Sequence, residues 1–164
     1  MSDDPMSDPI CDSAHPSAPD PAQQLAQDCA ASMWARDHAA QALGMRLHAV
    51  GPGCASLGMV VRPDMVNGHR ICHGGLIFTL ADTAFAYACN SSNANTVASA
   101  CQIDFLAPAR LGDELEAQAQ ERALSGRSGV YDVTVRLRGG GTVALFRGKS
   151  HRVQGAVIEL PQSA

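Results

Sequence analysis

The spacing of apolar and polar positions changes several times along this chain, and each change marks an element. Residues 21–43 are Ala-rich and helical in pattern. Asp20 reads as the cap, Pro21 as the first helical position, Gln23 as the far side of a capping box and Gly44 as the stop. The apolar stripe of this helix is thin, which puts it at an edge of the fold. Residues 45–50 and 55–62 read as strands joined by Gly51-Pro52-Gly53, followed by a polar loop over 63–72. The stretch GGLIFTLADTAFAYAC, Gly74 to Cys89, is apolar almost all round, the mark of a helix buried on most sides. Beyond residues 90–95 the period becomes two. Strands are predicted over 97–106, 114–122, a run in which Tyr131, Val133, Val135 and Leu137 alternate with Asp132, Thr134 and Arg136, and 143–153 after Gly139-Gly140-Gly141. The order is helix, two strands, one central helix, four strands. It predicts an α+β fold, an antiparallel sheet wrapped around one helix with an extra helix at the N-terminus.

Length narrows this to one domain: 164 residues leave little room for a second. The domain is expected over 21–153, between a tail over 1–20 rich in Asp, Pro and Ser, read as disordered, and a short tail over 154–164. A net charge of −4 and an aromatic content of 4% speak against nucleic acid, which calls for a basic face or stacking rings. No apolar run reaches the roughly 20 residues of a membrane helix, and the N-terminus lacks the cationic start and apolar core of an export signal. A cytoplasmic protein without a membrane partner is the expectation. The six cysteines contain no CxxC pair, so they are expected to be small buried side chains rather than metal ligands.

Two features of the central helix carry candidate chemistry. Asp82 is an acid within its most apolar stretch, where an unpaired carboxylate must find partners, shift its pKa or stay near solvent. It shares a helical face with Thr79, Thr83 and Ala86, small enough to line a cavity. An acid satisfied by a neighbouring hydroxyl or backbone group would fit the pattern too. At the helix start, His73-Gly74-Gly75 offers unpaired amides at the positive end of a helix dipole, approachable because glycine has no side chain. Such amides can hold a developing oxyanion, although paired glycines also serve close packing. Gly74 and Asp82 lie eight residues apart, about 12 Å along one helix. One carbonyl cannot touch both groups of one chain. If both act in one reaction, the site is shared between subunits and the protein is at least a dimer.

The segment NGHRICHGGLIFTLADTAFAYA resembles the signature of hotdog-fold thioesterases of the phenylacetic acid degradation type. VASACQIDFLAPARLGD, GRSGVYDV and TVALFRGKSHRV are similar to the same subgroup. The resemblance implies the hotdog fold and hydrolysis of aryl-acetyl-CoA thioesters, phenylacetyl-CoA and its ring-hydroxylated forms. CoA would be part of the substrate, and no metal or other cofactor is implied. Asp82 stands at the position of the nucleophile or general base, Gly74 at that of the glycine whose amide polarises the carbonyl, and Asn67 at that of an asparagine placing the carbonyl or water. Substrate contacts are implied for His73, Gly75 and Thr83. Relatives carry a hydroxyl residue near Ala98, a role for which Ser99 is the neighbouring candidate. Ser125, Gly126, Arg127 and Ser128 match a turn that meets the CoA nucleotide, though Arg127 also suits an ordinary surface. His69 reads as solvated, and Lys149, His151 and Arg152 as protection of a strand end. Family members are commonly tetramers. The rival readings are a hotdog hydroxyacyl dehydratase, pairing His73 with Asp82, and a non-enzymatic acyl-CoA sensor.

Overall fold

The computed structural model describes residues 20–160; residues 1–19 of the expected N-terminal tail, Cys11 among them, and the last four residues lie outside these. The elements are α1 (Pro21–Trp34), α2 (His38–Ala42), β1 (Arg46–Gly51), β2 (Cys54–Val60), α3 (Gly74–Cys89), β3 (Ala94–Phe105), β4 (Glu114–Ser125), β5 (Ser128–Leu137) and β6 (Thr142–Ala156). The six strands form one antiparallel sheet in the order β1-β2-β4-β5-β6-β3. Because α3 connects β2 to β3, the chain crosses the sheet and β3 becomes the far edge. The helix lies along the face it crosses, as the hydrophobic pattern predicts.

Burial explains why this arrangement holds. Leu80, Ala81, Ala84, Phe85, Tyr87 and Ala88 of α3 are almost wholly buried, against Leu57, Leu115, Ala117, Val133, Val135 and Phe146 of the sheet. Each large side chain so buried stabilises the fold by about 1.5–3 kcal/mol. Phe85 meets Tyr131 edge-on, with ring centroids 5.4 Å apart. Close approach depends on Gly148 of β6, where an added Cβ would stand 2.9 Å from the Phe85 ring. Four of the five strand pairings carry register shifts. Such irregularities bend and twist strands, and here they curl the sheet around α3.

The N-terminal helix departs from expectation. Instead of one helix to residue 43, the chain breaks after Trp34 and restarts at His38. Asp37 causes the restart: one oxygen caps α2 by accepting from Ala40 N at 3.0 Å, and the other accepts from the Tyr87 hydroxyl at 3.3 Å. Asp20 does cap α1, through Ala22 N, but Gln23 reaches Val50 O at 2.7 Å rather than closing a capping box. Gly44 ends α2 with φ +70°. At the other end, β6 runs three residues past 153, and Asn93 holds Ile158 by hydrogen bonds to both backbone groups. Of the cysteines, Cys29, Cys72 and Cys89 are buried as expected, whereas Cys54 and Cys101 are only partly covered.

Candidate active site

The start of α3 is built by the loop before it. Val66 bridges Cys72, and His73 N donates to Met65 O, which folds residues 65–73 back on themselves. Asn67 organises that turn: its Oδ1 accepts from His69 N at 2.9 Å and Ile71 N at 3.4 Å. The oxygen is thereby occupied, and Asn67 is left only the NH₂ group to offer a ligand. His73 is the N-cap, its Nδ1 accepting from Gly75 N at 3.1 Å. The Gly74 amide takes no hydrogen bond among the described residues. It points from the positive end of a 16-residue helix. Gly74 also faces the half-exposed ring of Phe105, where a Cβ would come within 3.0 Å of Cζ.

Two turns further on, α3 presents a partly buried face of Thr79, Asp82, Thr83 and Ala86. Both hydroxyls turn inward: Thr79 donates to Gly75 O at 2.8 Å and Thr83 to Thr79 O at 2.7 Å. Neither proton goes to Asp82. Its single hydrogen-bond partner among the described residues is the Cys101 thiol, with Sγ 3.8 Å from Oδ1. Burial raises the Asp82 pKa above the ordinary carboxylate range, and the thiol pulls it partly back. Asp82 opens onto a cavity of about 470 Å³, lined also by Phe85, Ala86, Thr96, Val97 and Ala98. A volume of that size suits a small-molecule pocket. The separation between the helix start and Asp82 is repeated on β3, where Phe105 stands by Gly74 and Cys101 by Asp82. Four strand residues span about 13 Å.

A family model described as the thioesterase superfamily matches residues 69–144. The acyl-coenzyme A thioesterase PaaI of Escherichia coli strain K12 is 51% identical over 126 residues, covering 77% of this chain and 90% of that protein. The chain belongs to the thioesterase superfamily, in its PaaI subgroup. The solved structure of E. coli PaaI, from the phenylacetic acid degradation operon, superposes with a TM-score of 0.80 at 49% identity, over 82% of this chain and 97% of that one. A mutant of the Thermus thermophilus phenylacetic acid degradation protein PaaI matches with a TM-score of 0.69 and 38% identity, over 71% and 100%. The α+β architecture with its single wrapped helix is therefore the hotdog fold of this superfamily.

Within this thioesterase-superfamily chain the expected site residues fall into four places. Asn67, His73, Gly74 and Gly75 gather at the α3 N-terminus. Asp82 and Thr83 lie on the open helix face, so His73 and Asp82 of one chain form no acid–base pair. Ser125, Gly126, Arg127 and Ser128 form the exposed β4–β5 turn, with Gly126 at φ +59°. That turn is tied to the end of β6: Arg127 Nε donates to Arg152 O at 3.0 Å, and Arg152 N returns a bond to Arg127 O. Arg127 is thereby held against the Arg152 backbone, a basic corner at the end of the sheet, with Lys149 and His151 nearby along β6. Ser99 does not join Asp82 in the chain. It is the extra residue of a β3 bulge, and its Oγ donates to Lys149 O at 3.0 Å. Residue patterning misses Cys101, which it treats as a space-filler. Strand parity with Ile103 and Phe105 is the available signal, since that parity turns all three toward α3. Among the described residues no three His, Cys, Asp or Glu side chains gather as a metal site would require.

Proposed function

We propose that this protein hydrolyses aryl-acetyl-CoA thioesters, phenylacetyl-CoA and its ring-hydroxylated forms, to the free acid and CoA in aromatic acid breakdown. The observation that carries the proposal is Asp82, a carboxylate held off the usual range by burial, with one weak donor and an open cavity beside it. The identity to a named acyl-CoA thioesterase sets the reaction class. The thioester oxygen accepts from Gly74 N–H at the helix N-terminus, where the dipole favours the growing negative charge. Asn67 orients carbonyl or water through its NH₂ group. Asp82 either removes a proton from water as it attacks, or attacks the carbonyl itself to give an anhydride that water then opens. In both routes the C–S bond breaks: in the first the proton taken from water passes to the CoA sulfur, and in the second the thiolate leaves first and the proton is released when water opens the anhydride. Water, carboxylate and amide complete the chemistry without metal or prosthetic group. The basic corner around Arg127 offers guanidinium to the nucleotide phosphates of CoA.

The two groups belong to different chains. β3 is a twelve-residue edge strand with Val97 and Phe105 about half exposed, which marks it for pairing with another chain. Antiparallel pairing of two β3 strands with the two-fold axis near Ile103 sets Cys101 opposite the partner's Phe105. Asp82 then stands across from the partner's Gly74. Dimers of this kind would assemble further into a tetramer in the cytoplasm; no helix among the described residues is long and apolar enough to cross a membrane.

The test is hydrolysis of phenylacetyl-CoA, hydroxyphenylacetyl-CoA and straight-chain acyl-CoAs, followed by chromatography so that protein thiols do not interfere. Hydrolysis preferring the aromatic thioesters, lost in a folded Asp82→Asn protein, is expected. A folded, oligomeric wild type that binds acyl-CoA without turning it over would overturn the enzyme and leave the sensor. Separately, single turnover in labelled water distinguishes the routes: label recovered in the Asp82 carboxylate means direct attack.

A further inference from the structure

The bulge in β3 does more than bend the strand. Ala98 pairs with Ser150 and Ala100 with Lys149, so Ser99 is an additional residue on one side of the ladder. The insertion switches which residues of β3 face the helix. Cys101 and Ile103 face α3 on one side of it, and Ala98 reaches the Asp82 cavity on the other. Cys101, in step with Ile103 and Phe105, stands beside Asp82 and opposite Gly148, whose lack of a side chain leaves the space that Phe85 fills.

The remaining donors near Asp82 are committed elsewhere. Thr79 and Thr83 bond to their own helix, and the Cys89 thiol donates to Ala86 O at 3.5 Å. Asn90 spends its amide on Ala86 O and Thr96 O. We propose that Cys101 is a positioning residue for Asp82: its thiol donates to Oδ1, aims the carboxylate into the cavity and leaves Oδ2 for the reacting atoms. The inference rests on the role of Asp82 given above. A thiol suits the task because burial and the adjacent carboxylate push its pKa up to about 11. It stays protonated at neutral pH, a neutral donor rather than a competing thiolate. The other titratable groups facing Asp82 are few. Cys89 on the same helix is pushed up to about 12 by burial and stays neutral too. Arg36 of the α1–α2 turn stands on the cavity wall, engaged with Ser32. From β5, Tyr131 gives its hydroxyl to Glu121, and opposite this part of β3 the strand β6 places Gly148, the exposed Lys149 and the buried Ser150.

The test compares wild type with Cys101→Ala, Cys101→Val and Cys101→Ser, with Asp82→Asn alongside, in full-length protein hydrolysing phenylacetyl-CoA from mildly acidic to mildly alkaline pH. Losing the donor makes the carboxylate harder to ionise, so the acid limb of kcat moves to higher pH in the Ala and Val variants. On that limb kcat falls roughly threefold, the loss of one weak hydrogen bond, with KM unchanged. Cys101→Ser keeps a donor and restores the wild-type limb. Val fills the thiol's volume, so a shift shared by Ala and Val is not a packing effect. Wild-type pH profiles in Ala and Val, or a Ser variant shifted as far as Ala, would overturn the inference while the role of Asp82 stands. An active Asp82→Asn protein would overturn that role, and the inference with it.

Discussion

Asp82 and Asp132 are the same side chain in opposite circumstances. Asp132 lies on the outer face of β5, where Arg147 grips it through both oxygens, at 2.6 and 2.9 Å, and Arg122 adds a third bond at 3.2 Å. The Arg147 hydrogen bonds, above all, hold its carboxyl below the ordinary range. Asp82 has a thiol on one oxygen, no cation bonded to it among the described residues, and burial that raises it. A carboxylate saturated by arginines is held ionised and has little left to give a substrate. One left short of partners in a cavity keeps its basicity and its open lone pairs. The difference teaches that partner count, more than residue type, separates a structural acid from a reactive one.

The largest break in that comparison is isosteric. Asp82→Asn should lower kcat about a thousandfold, the scale of a lost general base, while the protein stays folded. Asp132→Asn should leave kcat for phenylacetyl-CoA near wild type. Comparable losses from both variants would erase the distinction. Next in size, Gly74→Ala should cost roughly ten- to a hundredfold in kcat/KM, less than full loss of an oxyanion donor. The amide survives, but its new Cβ meets Phe105 where the carbonyl must approach. A tight substrate fit with unchanged turnover in that variant would remove Gly74 from the reaction.

The stability effects are smaller and differ in sign. Removing the Asp132 ion pairs should destabilise by up to about 1 kcal/mol in urea melts, the scale of exposed pairs. Asp82→Asn should raise Tm at neutral pH, because a neutral amide escapes the cost of a buried charge. The pH dependence follows from the two directions. The lowered Asp132 pKa contributes stability that is present above its unfolded value and lost as pH falls through the folded one. The raised Asp82 pKa works the other way: its contribution is fully present below the unfolded value and lost as pH rises through the folded one. The Tm advantage of Asp82→Asn should therefore shrink on mild acidification, measured by thermal melts of both proteins. An advantage that grows instead would contradict the assigned sign.

Much of this is legible in the chain itself. The all-round apolarity of Gly74–Cys89 marks a wrapped helix, and an acid within it stands out because burial is costly there. Eight helical residues between Gly74 and Asp82 suffice to argue for two chains. What patterning misses are choices made by tertiary contact. Asp37 breaks the first helix because Tyr87, fifty residues away, holds its second oxygen. Ala98 joins Cys101 on the Asp82 side because one extra residue in β3 resets which side chains face inward, a register no local pattern reports. Ser99, the residue suggested by a hydroxyl near Ala98 in relatives, is itself that extra residue and is spent on Lys149.

The most direct test of the central claim, that Asp82 acts on a carbonyl held at the Gly74 of another chain, is subunit complementation. Asp82→Asn and Gly74→Val, each inactive alone, are co-expressed and the mixed oligomers assayed on phenylacetyl-CoA. A shared site reunites the intact Gly74 of one chain with the intact Asp82 of the other, and random pairing in two-fold dimers should restore about a quarter of wild-type activity. Mixed oligomers no more active than their parents would contradict it and place the whole reaction within a single chain.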